Sequence, residues 1–147
     1  MNREIKFRGK LMEDNEWDFG DLREKNGKSY IFPKGELTFK HFAYEVFPDT
    51  VSQYTGLKDK NGVEIYEGDI LRTEGLKILN GSCVQSIDIS EVVWSEDSCG
   101  FSAVEQKAII AGKEKQQMGI FYMMPDSEEC EVIGNIYDNP ELIGGGK

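Results

Sequence analysis

Histidine is nearly absent from this 147-residue chain, cysteine occurs three times and proline four times. Cys83, Cys99 and Cys130 lie far apart, contain no C-x-x-C pair and make an odd total, which excludes a disulfide framework and a four-ligand zinc site. With His41 the only histidine, a transition-metal site would have to lean on scattered carboxylates, so no metal and no cofactor are expected. No stretch approaches the roughly 20 apolar residues of a membrane span, and the opening Met-Asn-Arg-Glu-Ile-Lys has no apolar segment behind its positive charges. The expectation is a cytoplasmic protein with reduced thiols and no membrane partner. Also missing are a Walker loop, G-x-G-x-x-G, G-x-S-x-G and a Cys–His pair at recognisable spacing, so no catalytic residue is assigned.

What is abundant is negative charge. Against 17 basic residues stand 27 acidic ones, a net charge of −10 and a pI near 4.6. Phosphate backbones and anionic membranes would on average repel such a protein, so direct nucleic-acid binding is not expected. A hydrophobic fraction of 39% with 11% aromatics is too high for a disordered chain and sufficient for a core. A chain this long buries about 70% of its unfolded surface as one domain or two small ones.

The residue pattern is that of strands. Ile5, Phe7, Gly9 and Leu11 alternate with Lys6, Arg8 and Lys10, and Trp17 and Phe19 alternate with Asp18 and Gly20 across a polar turn, which predicts a hairpin over 3–22. Asn-Gly, the favoured pair of a tight hairpin turn, stands at 26–27, 61–62 and 80–81, each next to a β-prone run. Residues 36–47 fit a helix face and a strand face alike, and strand or irregular structure is preferred. Over 103–111 good helix formers precede Gly112, which predicts a short helix with a left-handed stop, followed by a mobile loop in Lys-Glu-Lys-Gln-Gln. Residues 120–124 and 131–137 read as closing strands.

The fold class expected is therefore mainly β. It comprises an N-terminal β-meander over 1–58 and an SH3-like small barrel over 59–143, with at most one short helix. The barrel carries an inserted loop or helix near 103–118, and 144–147 is a flexible tail.

Few groups suggest chemistry. Asp59-Lys60-Asn61-Gly62 fails as a calcium loop, because its glycine falls fourth rather than sixth and the twelfth position is Ile70, and a turn is the better reading. In Tyr66-Glu67-Gly68-Asp69, Gly68 permits a bend and Asp69 can accept backbone N–H groups there; the functional alternative is that Glu67 and Asp69 form a carboxylate pair. Acidic groups at Glu91, Glu96 and Asp97 and at Asp126, Glu128, Glu129 and Glu131 read as a solvated surface. The sharper alternative is a mimic of DNA, since same-face strand residues repeat at about 6.8 Å, near the phosphate spacing of one strand. Lys6, Arg8 and Lys10 form the one basic stripe; they could track phosphates beside Trp17 or Phe19, but pairing with Asp18 or Asp21 is the simpler reading.

Four blocks in order, Ile5-Lys6-Phe7-Arg8, the run from Gln53 to Gly62 (Gln-Tyr-Thr-Gly-Leu-Lys-Asp-Lys-Asn-Gly), Ile65-Tyr66-Glu67-Gly68-Asp69-Ile70, and the run from Glu131 to Leu142, resemble the YopX family of phage and prophage proteins. The resemblance implies a small, mainly β, phage-encoded protein of the bacterial cytoplasm. It implies no reaction, because the family brings no catalytic residues to carry over. Block members without an evident structural duty, Arg8, Gln53, Tyr54, Thr55 and Asn135, join Glu67 and Asp69 as candidate ligand- or partner-contacting residues. The function expected is a non-enzymatic interaction module for a host or phage protein. An acidic DNA-mimic inhibitor and a small-ligand protein or enzyme with a carboxylate pocket are the alternatives, and homo-oligomerisation stays open.

Overall fold

The computed structural model describes residues 2–34, 43–126 and 128–144, with the backbone alone over 116–123. Two compact units divide the chain, Met1–Gly56 and Leu57–Lys147. Strands take up 62% of it and, among the described residues, no helix reaches seven residues, so the mainly β expectation holds. The strands form two antiparallel sheets.

The first unit is a meander of β1 (Phe7–Lys10), β2 (Trp17–Lys25), β3 (Lys28–Pro33) and β4 (Tyr44–Val46), with β5 (Ser52–Lys58) antiparallel to the other side of β1. Asn26 and Gly27 both have positive φ (54° and 74°), the mirror-image turn whose twist matches the flanking strands. Ile31 and Val46 are fully buried, and Gly9 lets the backbone close on Val46: an added Cβ would stand 2.8 Å from its Cγ2. Gly20 is tighter still, because a Cβ there would meet the Phe32 carbonyl oxygen at 1.9 Å. Most of the ambiguous 36–47 segment, residues 36–42, lies outside the described residues, and its end is β4.

In the second unit β6 (Glu64–Tyr66) precedes four long consecutive strands, β7 (Asp69–Leu79), β8 (Ser82–Ser95), β9 (Gly100–Ile110) and β10 (Lys113–Met123). β11 (Cys130–Asn135) returns to the free side of β7, giving the order β10-β9-β8-β7-β11. Ile65, Leu71, Val92 and Cys130 form a buried cluster, with Phe101, Met124 and Val132 packed on it. Each such side chain contributes roughly 1.5–3 kcal/mol of burial.

The helix expected over 103–111 is absent: those residues belong to β9, and the loop expected after Gly112 is the start of β10. Pairing passes from Ile89↔Lys107 to Ser90↔Glu105, so Gln106 is an extra residue. That bulge breaks the two-residue alternation and leaves Ala103, Val104 and Glu105 buried in succession. Gly112 is left-handed as expected, but with Ala111 (φ 50° and 75°) it makes the turn of a hairpin instead of ending a helix.

Candidate functional site

The candidate residues fall into the two units. In the first, Arg8 lies opposite Ser52 and donates from Nε to Ser52 Oγ at 3.1 Å, while Gln53 pairs with Phe7. Tyr54 donates its backbone N–H to the Lys6 carbonyl, and the Lys6 ammonium sits 5.3 Å from the Tyr54 ring centre. The Arg8 guanidinium stacks 4.5 Å from the Trp17 ring and Lys10 lies 5.4 Å from the same ring. Arg8, Lys10, Tyr54 and Thr55 are all buried, so two of the stripe's three cations are built into the fold. Asp18 stands opposite Gly9, on the face alternate to the stripe, and Asp21 pairs with Lys34 at 3.4 Å.

In the second unit Asp69 is buried and its Oδ2 accepts the Tyr66 N–H at 2.8 Å, closing the bend at Gly68 (φ 80°). Asn135, opposite Asp69, accepts the Tyr137 and Asp138 N–H groups through Oδ1 and donates from Nδ2 to Asp138. Glu67 sits half-buried in the bend. Glu91 is held above its ordinary value of 4.5, by burial first and then by the Glu67 carboxylate. Asp69 and Asn135 thus use hydrogen-bonding capacity on their own backbone, as capping and turn residues do.

The residue that sequence reasoning undervalued is Asp59. Buried, its Oδ1 accepts the Asn61 and Val63 N–H groups at 2.8 and 2.9 Å, and its Oδ2 accepts the Val132 N–H of β11 at 2.9 Å. Burial alone would raise its pKa, but these three hydrogen bonds and the Lys60 charge outweigh it and hold the group below its ordinary 3.8. Lys60 adds an N–H bond to the Cys130 carbonyl and an ion pair with Glu131 at 3.3 Å. The pKa of the Cys130 thiol is pushed up by burial and by the Asp59 charge, which favours its neutral form. The signal for Asp59 was an Asp two residues before Asn61-Gly62; the partner on β11 leaves no local trace.

The acidic groups are spread over several segments: Glu91 lies on β8, Glu96 and Asp97 occupy the turn after it, Asp126, Glu128 and Glu129 belong to the segment before β11, and Glu131 lies on β11. Among the described residues no group of three or more His, Cys, Asp or Glu could hold a metal ion, and no helix is long and apolar enough to cross a membrane.

The far halves of β7, β8 and β9 have two unlike faces. On one, Lys77 Nζ reaches Asp88 at 2.8 Å and the fully buried Glu105 at 3.2 Å, passing the small pair Gly75↔Ser86; burial opposes the ammonium's charge, but the two carboxylates raise its pKa on balance. On the other, Leu76 is 68% and Ile78 80% exposed. Beside them runs a groove of about 580 Å³ lined by Glu74, Leu76, Gln85, Ile87, Ile109 and Ala111.

The chain is thus a two-unit, mainly β protein in which Asp59, Asp69 and Asn135 brace turns and an apolar surface lies at the far end of a long hairpin. It belongs to the YopX family: the family described as YopX protein matches residues 6–144. Among solved structures, the crystal structure of protein EF1440 from Enterococcus faecalis is similar, with 22% identity and a TM-score of 0.49 over 97% of this chain and 99% of that one. Comparison with curated proteins finds no match.

Proposed function

We propose that this protein is a non-enzymatic protein-interaction module of a phage or prophage, working in the bacterial cytoplasm. The observation that carries this reading is the exposure of Leu76 and Ile78 beside the groove, because isolated aliphatic side chains are common on surfaces but a contiguous apolar strip beside a concavity is what partner proteins cover. The polar candidates support it from the other side. Asp59, Asp69 and Asn135 each bind backbone N–H groups, a bracing duty that accounts for their presence without any reaction.

Affinity capture from a bacterial lysate tests the reading, with the Leu76→Ser/Ile78→Ser double variant run alongside. A protein retained by the wild type and lost with the variant is the expected result. Retention that ignores both substitutions, or substrate turnover by the isolated chain, would count against an interaction module of this kind.

A further inference from the structure

The exposed face carries an ordered arrangement of charge around its apolar strip. Glu74 pairs with Ile87, Ile87 with Ile109, and Ile109 with Glu114, so one row crossing β7, β8, β9 and β10 reads acid, isoleucine, isoleucine, acid. Directly paired residues share a face, and three strand spacings put the two acidic positions about 14 Å apart. The two isoleucines are half-buried between them and line the groove.

Each glutamate already has a neighbour of opposite sign, Arg72 for Glu74 and Lys107, at 3.8 Å, for Glu114. The pairs are lopsided. The Glu74 and Glu114 side chains are 64% and 56% exposed, against 30% for Arg72 and 20% for Lys107, so the face shows its partner carboxylates rather than cations. Exposed pairs of this kind are worth only about 0–1 kcal/mol, and the outer oxygens of the exposed carboxylates can accept an incoming cation beside the resident one.

We propose that this face binds an aliphatic segment of another protein that carries a lysine or arginine at each end of its apolar strip, the two cations seated on Glu74 and Glu114. The proposal rests on the interaction-module reading and adds the chemistry of the partner. A second copy of this chain is a poorer occupant, because laying the row against itself sets glutamate against glutamate. An amphipathic helix fits: side chains eleven residues apart lie on one helix face about 16 Å from each other, within the reach of lysine stems.

The probe is a synthetic helix of roughly 18 residues with a leucine strip and a lysine at each end of it, eleven positions apart, and a twin carrying glutamate at those two positions. Fluorescence anisotropy should show the lysine peptide binding the wild type, weakening with added salt, and binding Glu74→Lys/Glu114→Lys about tenfold less. The glutamate peptide should show the reverse preference, and Leu76→Ser should weaken both. Glu74→Gln/Glu114→Gln should give an intermediate loss, which separates lost attraction from any disturbance that the lysines cause. Equal binding of the two peptides, or none of either, overturns the proposal. So does self-association in sedimentation that Leu76→Ser abolishes, since the occupant would then be a second copy. Lysate capture lost in Leu76→Ser/Ile78→Ser but untouched by Glu74→Lys/Glu114→Lys overturns the cationic partner and leaves the module reading standing; capture insensitive to all four substitutions removes both.

Discussion

Among the described residues, the two units bury charge of opposite sign against different kinds of group. In Met1–Gly56 the buried charges are cationic, and aromatic faces and a hydroxyl receive them: Arg8 on Trp17 and Ser52, Lys10 on Trp17. In Leu57–Lys147 they are carboxylates, and Asp59 and Asp69 are received by backbone N–H groups, Glu105 by Lys77. The difference matters for stability. A ring attracts a cation by about 0.5–2 kcal/mol and survives its loss, whereas a buried N–H stripped of its acceptor costs about 1–3 kcal/mol each. Carboxylates that bind backbone act as part of the main-chain hydrogen-bond network, and cations stacked on rings act as packing.

The largest effect expected is therefore at Asp59. Asp59→Ala leaves the Asn61, Val63 and Val132 N–H groups without their acceptor and should cost about 3–5 kcal/mol in urea unfolding. Because the folded state lowers this pKa, the wild type keeps the Asp59 contribution above the carboxylate range and loses it as pH falls through the folded value; the variant should show a flatter acid limb. Next comes Arg8→Lys, which loses the Nε bond and the planar stack and should cost about 1–2 kcal/mol. A larger loss at Arg8 than at Asp59 would reverse the contrast between the units.

Smaller and of opposite sign is Glu91→Gln. The fold raises the Glu91 pKa, so its charged form is disfavoured at neutral pH and relieved as pH falls through the raised value. The substitution should raise the urea midpoint at pH 7, and the gain should shrink on acidification; a gain that persists in acid would place its cause elsewhere. Ile78→Ser, on a residue 80% exposed, should change stability by less than about 0.5 kcal/mol while altering partner capture.

Local chemistry made much of this fold legible. Asn26-Gly27 and Asn80-Gly81 take the left-handed pair of φ values that their sequence favours, and both join the strands expected. Ala111-Gly112 does the same work with a residue that seldom adopts positive φ, and the Gln106 bulge hides the strand before it, so a run of helix formers misled. At Gly68-Asp69 the expected bend and its N–H acceptor are both present. The acid-isoleucine-isoleucine-acid row was beyond reach, because its members come from four strands and only register aligns them. Asp59 stood in plain sight as a turn residue, and its distant bond to Val132 did not.

That distant bond divides one carboxylate between two stages of folding. Oδ1 serves Asn61 and Val63, two and four residues away, and can be engaged as soon as the local turn closes. Oδ2 must wait for Val132, 73 residues further along, whose arrival carries the entropy of closing a long loop. Pulse-labelled hydrogen exchange during refolding should protect the amides of Asn61 and Val63 before that of Val132, and simultaneous protection would refute the order. Protection in that order would make Asp59 a latch set early on one side, its second oxygen already oriented when β11 arrives.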